Sequence, residues 1–143
     1  MSQIINVIEQ RREAERDFVN AAFCGIVQRV IEPDAVLAVC PASLLSHDYK
    51  AKAVYDAISA IAADHKRPDP VCVWEWIYKH SSDYPPMCAA DVADYCTISI
   101  MGAADSSILH LAGVVRREGL KQQAESKLMG LLSDCQRYGN EPS

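Results

Sequence analysis

Six cysteines (Cys24, Cys40, Cys72, Cys88, Cys96, Cys135) and four histidines (His47, His65, His80, His110) are the side chains most able to do chemistry. Thiolate and imidazole bind zinc, and each can act as nucleophile or base. Their spacing argues against both uses. No two cysteines form a C-x-x-C pair, the close spacing from which structural zinc sites draw ligands. His80 and Cys88 are conceivable as a ligand pair, but a loop histidine beside a buried thiol is the plainer account. No histidine has a carboxylate at helical spacing on a shared face. Most of the cysteines sit among apolar residues, where Cys behaves as a small hydrophobe. The expectation is no metal, no cofactor and no catalytic residue.

Other combinations fare no better. Asp91 and Asp94 are carboxylates three residues apart, a pairing that could do acid–base work. Near a helix start it is more commonly a solvated face favoured by the helix dipole. Trp74 and Trp76 could stack bases, but core packing suits Trp74 better in an acidic chain. Arg116, Arg117 and Lys121 make a basic cluster that fits a solvated or interface face better than a nucleic-acid site. No G-x-x-x-x-G-K-[ST], G-x-S-x-G or H-E-x-x-H occurs, so neither a phosphate cradle nor a hydrolase centre is written here.

The 143 residues suffice for one domain with a core, and half of them are apolar. A net charge of -5 opposes nonspecific nucleic-acid binding, which an excess of Lys and Arg drives. At most weak binding is expected. No apolar run approaches the roughly 20 residues of a membrane span. The start of the chain has no signal-peptide core, so the expected location is cytoplasmic, with free thiols.

Helical periodicity and proline punctuation order the elements. Residues 1–12 read as a frayed lead-in. Phe18, Ala22, Ile26 and Val30, beside Val19, Phe23 and Val27, recur at helical spacing. Residues 34–45 hold one or two helical turns. "SHDYKAKAVYDAISAIAADHK" is the clearest helix, capped by Ser46 or Asp48. "RPDP" fuses a stop to a start: Pro68 cannot continue a helix, Asp69 is a good N-cap, and Pro70 is tolerated at the first position. A short helix over "MCAADVADYCTI" precedes a long one from about Ile108 to Cys135. No stretch alternates like a convincing strand. The fold class is all-α, a compact bundle of about six helices. Residues 13–104 form a helical head, 105–138 a long arm, and 139–143 a turn or tail.

These segments resemble the N-terminal domain of the DnaB-type replicative DNA helicases. "EAERDFV" resembles that family's opening E-x-E. "AVYDAISAI", a polar run, then Asp69 and "VCV" resemble its I-F-x-A-I … D-x-V-T-V signature. "HLAGVVRREGLK" is similar to its Y-A-x-I-V-x-x-x-x-x-R. Asn20, Ala51 and Cys72 stand where the family often has Gly, His and Thr. The resemblance implies a head followed by a helical hairpin whose first arm is the long helix. It also implies dimers that assemble into a hexameric collar docking primase or a helicase loader, with the ATPase motor outside this chain. A stand-alone modulator of a helicase or its loader is the alternative.

Leu128, Leu131, Leu132 and Cys135 fall at the spacing of a helix seam. Without a second hairpin arm this stripe would face water. The expectation is a homo-oligomer built partly on these four residues. The plainer alternative is a helix that breaks at Gly119 or Gly130 and folds back onto the head.

Overall fold

The computed structural model describes residues 2–97 and 104–139. The element order is α1 (Ser2–Val27), α2 (Pro33–Val39), α3 (Tyr49–Ala63), α4 (Pro70–Lys79), α5 (Ala89–Tyr95) and α6 (Asp105–Gly139), with short 3-10 turns at Ala42–Leu44 and Ser81–Asp83. The protein is all-α, with six α-helices and no strand among the described residues. The apolar pieces "VLAV" and "VCVW" are both helical, in α2 and α4.

The starts of α3, α4 and α5 each have a local cause. Asp48 accepts from the backbone N–H groups of Lys50 and Ala51 at 3.0 and 3.2 Å and caps α3. Asp69 accepts from Cys72 N at 2.9 Å, and Pro70 opens α4, as "RPDP" implies. The Asp91 carboxylate reaches back to Cys88 N at 2.9 Å to close a capping box at α5. It also takes Lys50 Nζ at 2.9 Å. These bonds, the backbone one foremost, hold its carboxyl down at about 2. Asp91 is therefore a structural cap rather than a member of a solvated pair.

Helix α3 is the centre of the head. Ala51, Val54, Tyr55, Ile58 and Ile61 are buried. Phe18 of α1 meets the Tyr55 ring edge-on at 5.1 Å, and the Tyr55 hydroxyl donates to the Cys40 carbonyl at 2.6 Å. Burial pushes the Cys40 thiol up to about 12. Cys24, Cys40 and Cys96 are buried, whereas Cys72 is half-buried and Cys88 and Cys135 are exposed. Only half of the thiols follow the core expectation.

Two sequence boundaries move. Helix α1 begins at Ser2, not near Glu13. Arg11 explains why the first three turns hold: it donates to Glu118 at 2.9 Å, Gln122 at 3.3 Å and Glu125 at 3.5 Å, all on α6. At the other end Val30 is exposed rather than continuing the apolar face. Arg29 adopts the left-handed conformation (φ 60°) and turns the chain after Val27. Gly139 belongs to α6, and the tail at 140–143 lies outside the described residues.

Candidate interaction site

Helix α6 is held along its first half. Ile108, Ala112 and Val115 are buried in the head. A side chain at Gly25 would strike Ile108 Cδ1, so α1 and α6 meet there at backbone range. Gly25 is near the end of α1 and Ile108 near the start of α6, while Arg11 reaches Glu118 and Glu125. The two helices therefore run antiparallel. Gly119 is the last close contact: a Cβ there would collide with the Leu44 carbonyl oxygen.

Beyond that point the helix leaves the head. Every residue from 123 to 137 is exposed. Leu128 is 58 % exposed, Leu131 63 % and Leu132 50 %, and Cys135 is open too. Met129, at 64 %, adds an apolar group that the four-residue seam does not include. The helix neither breaks at Gly119 or Gly130 nor folds back. Its distal half is held only where α1 runs beside it, and α1 has exposed apolar residues of its own in Ile5, Val7 and Ile8. The side chain that steadies the arm is Arg11. Glu118 is pulled partly out of water, which would raise its carboxyl, but Arg11 and Lys121 together outweigh this and hold it below the usual range.

The protein was compared with protein-family models, with curated proteins and with solved structures. No match was found.

The other residues singled out for chemistry are dispersed or occupied. His80 donates from Nδ1 to the Trp76 carbonyl at 2.8 Å and stacks on the Trp76 ring at 4.0 Å. Cys88 is the N-cap of α5. Asp94 is exposed, as are His65 and His110. Trp74 and Trp76 are partly buried against the core. Arg116, Arg117 and Lys121 are exposed on α6, where Lys121 Nζ lies 3.5 Å from Glu118. No group of three or more His, Cys, Asp or Glu among the described residues is arranged to hold a metal ion. No helix among them is long and apolar enough to cross a membrane.

One polar cluster escapes sequence inspection because its members come from three elements. Glu15 of α1 is 3 % exposed. Its carboxylate accepts from His47 N and Asp48 N at 3.1 Å and from His47 Nδ1 at 2.9 Å. Asp48 in turn accepts from the Tyr95 hydroxyl at 3.0 Å and from Arg16 at 3.4 Å. The carboxylate–imidazole pair has the form of a catalytic dyad. The remaining ring nitrogen, His47 Nε2, is sealed from solvent with no hydrogen-bond partner, so no substrate can reach it in this conformation. The cluster ties α1 to the start of α3 and to α5. Its 32-residue separation in sequence gives no periodic signal.

Proposed function

We propose that this chain is a non-catalytic interaction and oligomerisation domain, the N-terminal collar domain of a DnaB-like replicative helicase, with α6 as its assembly arm. One observation carries the reading: a continuous helix leaves the head with Leu128, Met129, Leu131 and Leu132 half or more exposed. Contiguous apolar surface of this kind marks an interface.

The helicase part rests on where the motif residues lie. "AVYDAISAI" supplies the buried face of α3, Asp69 caps α4, and Val73 of "VCV" is fully buried. "HLAGVVRREGLK" forms the stretch of α6 that packs on the head and then departs from it. These are packing roles, as a family signature without catalytic residues requires. In this reading the domain joins copies of itself into a collar and docks primase or a loader through a transient interface.

Sedimentation velocity over a range of concentrations tests the assembly role, and an NMR titration with a primase C-terminal domain tests the docking role. Concentration-dependent association and shifts confined to one face are the expected outcomes. A protein that stays monomeric and gives no shifts overturns the reading.

A further inference from the structure

We propose that the face of the head formed by α4 and the segment from Tyr84 to Met87 binds an extended, proline-rich peptide that carries a basic residue. The site uses no residue of α6, so it stands or falls apart from the collar reading.

Helix α4 has two apolar faces. Val73 and Ile77 are buried and fix the helix to the head. On a helix of 3.6 residues per turn, Val71, Trp74 and Tyr78 fall at i, i+3 and i+7 and form a second stripe beside them. Core packing does not use this stripe fully: Val71 is exposed, Trp74 is half-buried, and Tyr78 is 69 % exposed. The Trp74 and Tyr78 rings stand 6.1 Å apart, tilted by 52°. With Ile77, Tyr84, Met87 and the Pro85-Pro86 pair they line a cavity of about 320 Å³. Its frame is held in place. The Tyr84 hydroxyl donates to Asp56 at 2.6 Å, and the Tyr49 hydroxyl donates to the Pro86 carbonyl at 3.4 Å.

The chemistry of the lining selects the occupant. No lining residue is charged, so the part of a ligand that enters is neutral. The open hydrogen-bonding groups are donors. Trp74 Nε1–H, which can only donate, has no partner among the described residues and is not sealed from water as His47 Nε2 is. The Tyr78 hydroxyl is open as well. Two carbonyls at the rim are already engaged: that of Ser81 takes Tyr84 N at 3.4 Å, and that of Pro86 takes Tyr49. A neutral, aromatic groove with free donors matches a chain that offers carbonyls and apolar rings without N–H groups. Proline meets that description, since its nitrogen carries no hydrogen. Its extended helix has three residues per turn and repeats about every 9 Å, close to the roughly 10 Å from Val71 to Tyr78 at 1.5 Å per residue. Aromatic-lined grooves are the general receptor for such helices.

Charge fixes the flank. Glu75 falls beside the stripe, on the side away from Ile77. It is exposed and has no ion-pair partner among the described residues, not even Lys79 one turn on. An arginine or lysine next to the prolines finds its counter-charge there.

The test is an NMR titration of the isotope-labelled full chain with three peptides: capped octaproline, octaproline with an arginine at each end, and a Gly-Ser peptide of equal length. Trp76→Phe assigns the two indole N–H signals. Both proline peptides should bind saturably and move the Trp74 indole signal and the amides of α4 and of Tyr84, Met87 and Cys88. The arginine version should bind several-fold more tightly. Tyr78→Ala, at a side chain the core does not use, should weaken both by about tenfold, the loss expected of a truncated interface anchor. Glu75→Lys should weaken only the arginine version.

Shifts no larger than those from the Gly-Ser peptide overturn the proposal, as does a Tyr78→Ala variant that binds like the wild type. Equal affinity of the wild type and Glu75→Lys for the arginine peptide overturns the basic flank. Tetramethylammonium probes the competing use of an aromatic cavity, the capture of a cation. Saturable shifts of the same signals by that ion, with none from octaproline, overturn the peptide as occupant.

Discussion

Gly119 lies so close to the Leu44 carbonyl that no side chain fits between α6 and the 3-10 turn. Gly113, two turns nearer the head, has nothing within 4 Å of where its Cβ would stand. Helix propensity alone favours alanine at either site by about 1 kcal/mol. Gly113→Ala should therefore raise stability by up to that amount. Gly119→Ala should lower it by about 1–3 kcal/mol, because the collision is with backbone and the helix must move. Thermal unfolding of the two variants checks this. Equal shifts in the same direction would show that the contact is not close.

Glu15 supports a second prediction. Its carboxylate accepts two backbone N–H groups and an imidazole N–H while almost fully buried. Leaving such donors unsatisfied costs about 1–3 kcal/mol each when no water replaces the acceptor. Glu15→Ala should destabilise the protein by roughly 2–4 kcal/mol. Glu13→Ala, at an exposed position on the same helix, should stay within about 0.5 kcal/mol of the wild type. Urea denaturation of both variants provides the comparison.

How far the sequence revealed all this depends on the range of each interaction. Asp69 and Pro70 act within one helical turn, and Asp48 caps through N–H groups two and three residues on, so both starts are visible in a short window. The apolar repeat of α3 is equally local. Arg11 meets Glu118 across 107 residues, and no periodicity announces such a pair. The first three turns of α1 therefore read as frayed. Glu15 and His47 were hidden for the same reason. The candidate stripe on α6 was legible as spacing, but its exposure depends on where the head stops. That is set by Gly119 and Leu44, which are far apart in the sequence.

The Arg11 clamp gives a pH prediction. Burial alone would raise the Glu118 carboxyl, but Arg11 and Lys121 together outweigh it and leave the carboxyl lowered in the folded protein. A depressed carboxyl contributes stability that is present above its ordinary value near 4.3 and is lost as pH falls through the lower, folded value. The first turns of α1 should loosen from α6 in that acidic window. The contribution is small, below about 1 kcal/mol, because Glu118 is partly exposed. In an NMR titration Arg11→Ala should move the Glu118 midpoint up towards the ordinary range. An unchanged midpoint would falsify the clamp.

The thiols should separate by reactivity. Cys88 and Cys135 are exposed and should react with a thiol reagent within the first phase at neutral pH. Cys72 is half-buried, and its thiol is held up in pKa chiefly by the bond it donates to Asp69 at 3.2 Å, so it should follow more slowly. Burial pushes both Cys40 and Cys96 to about 12. With Cys24 they should react only after unfolding. Counting modified thiols by mass spectrometry before and after denaturant tests the order, and early labelling of Cys40 would contradict the packing around Tyr55.

The final prediction returns to the arm. Leu128 and Leu132 are one turn apart and at least half exposed, and neither belongs to the buried core of the head. Leu128→Glu/Leu132→Glu should therefore leave thermal unfolding of the head nearly unchanged, since surface substitutions away from packed features usually stay within about 0.5 kcal/mol. Self-association should fall by at least tenfold, because four carboxylates would meet in one small interface. The two measurements together separate assembly from folding. A variant that associates as well as the wild type would remove the stripe from the interface. A variant that melts much earlier would mean that the distal helix stabilises the head in a way its exposure does not suggest.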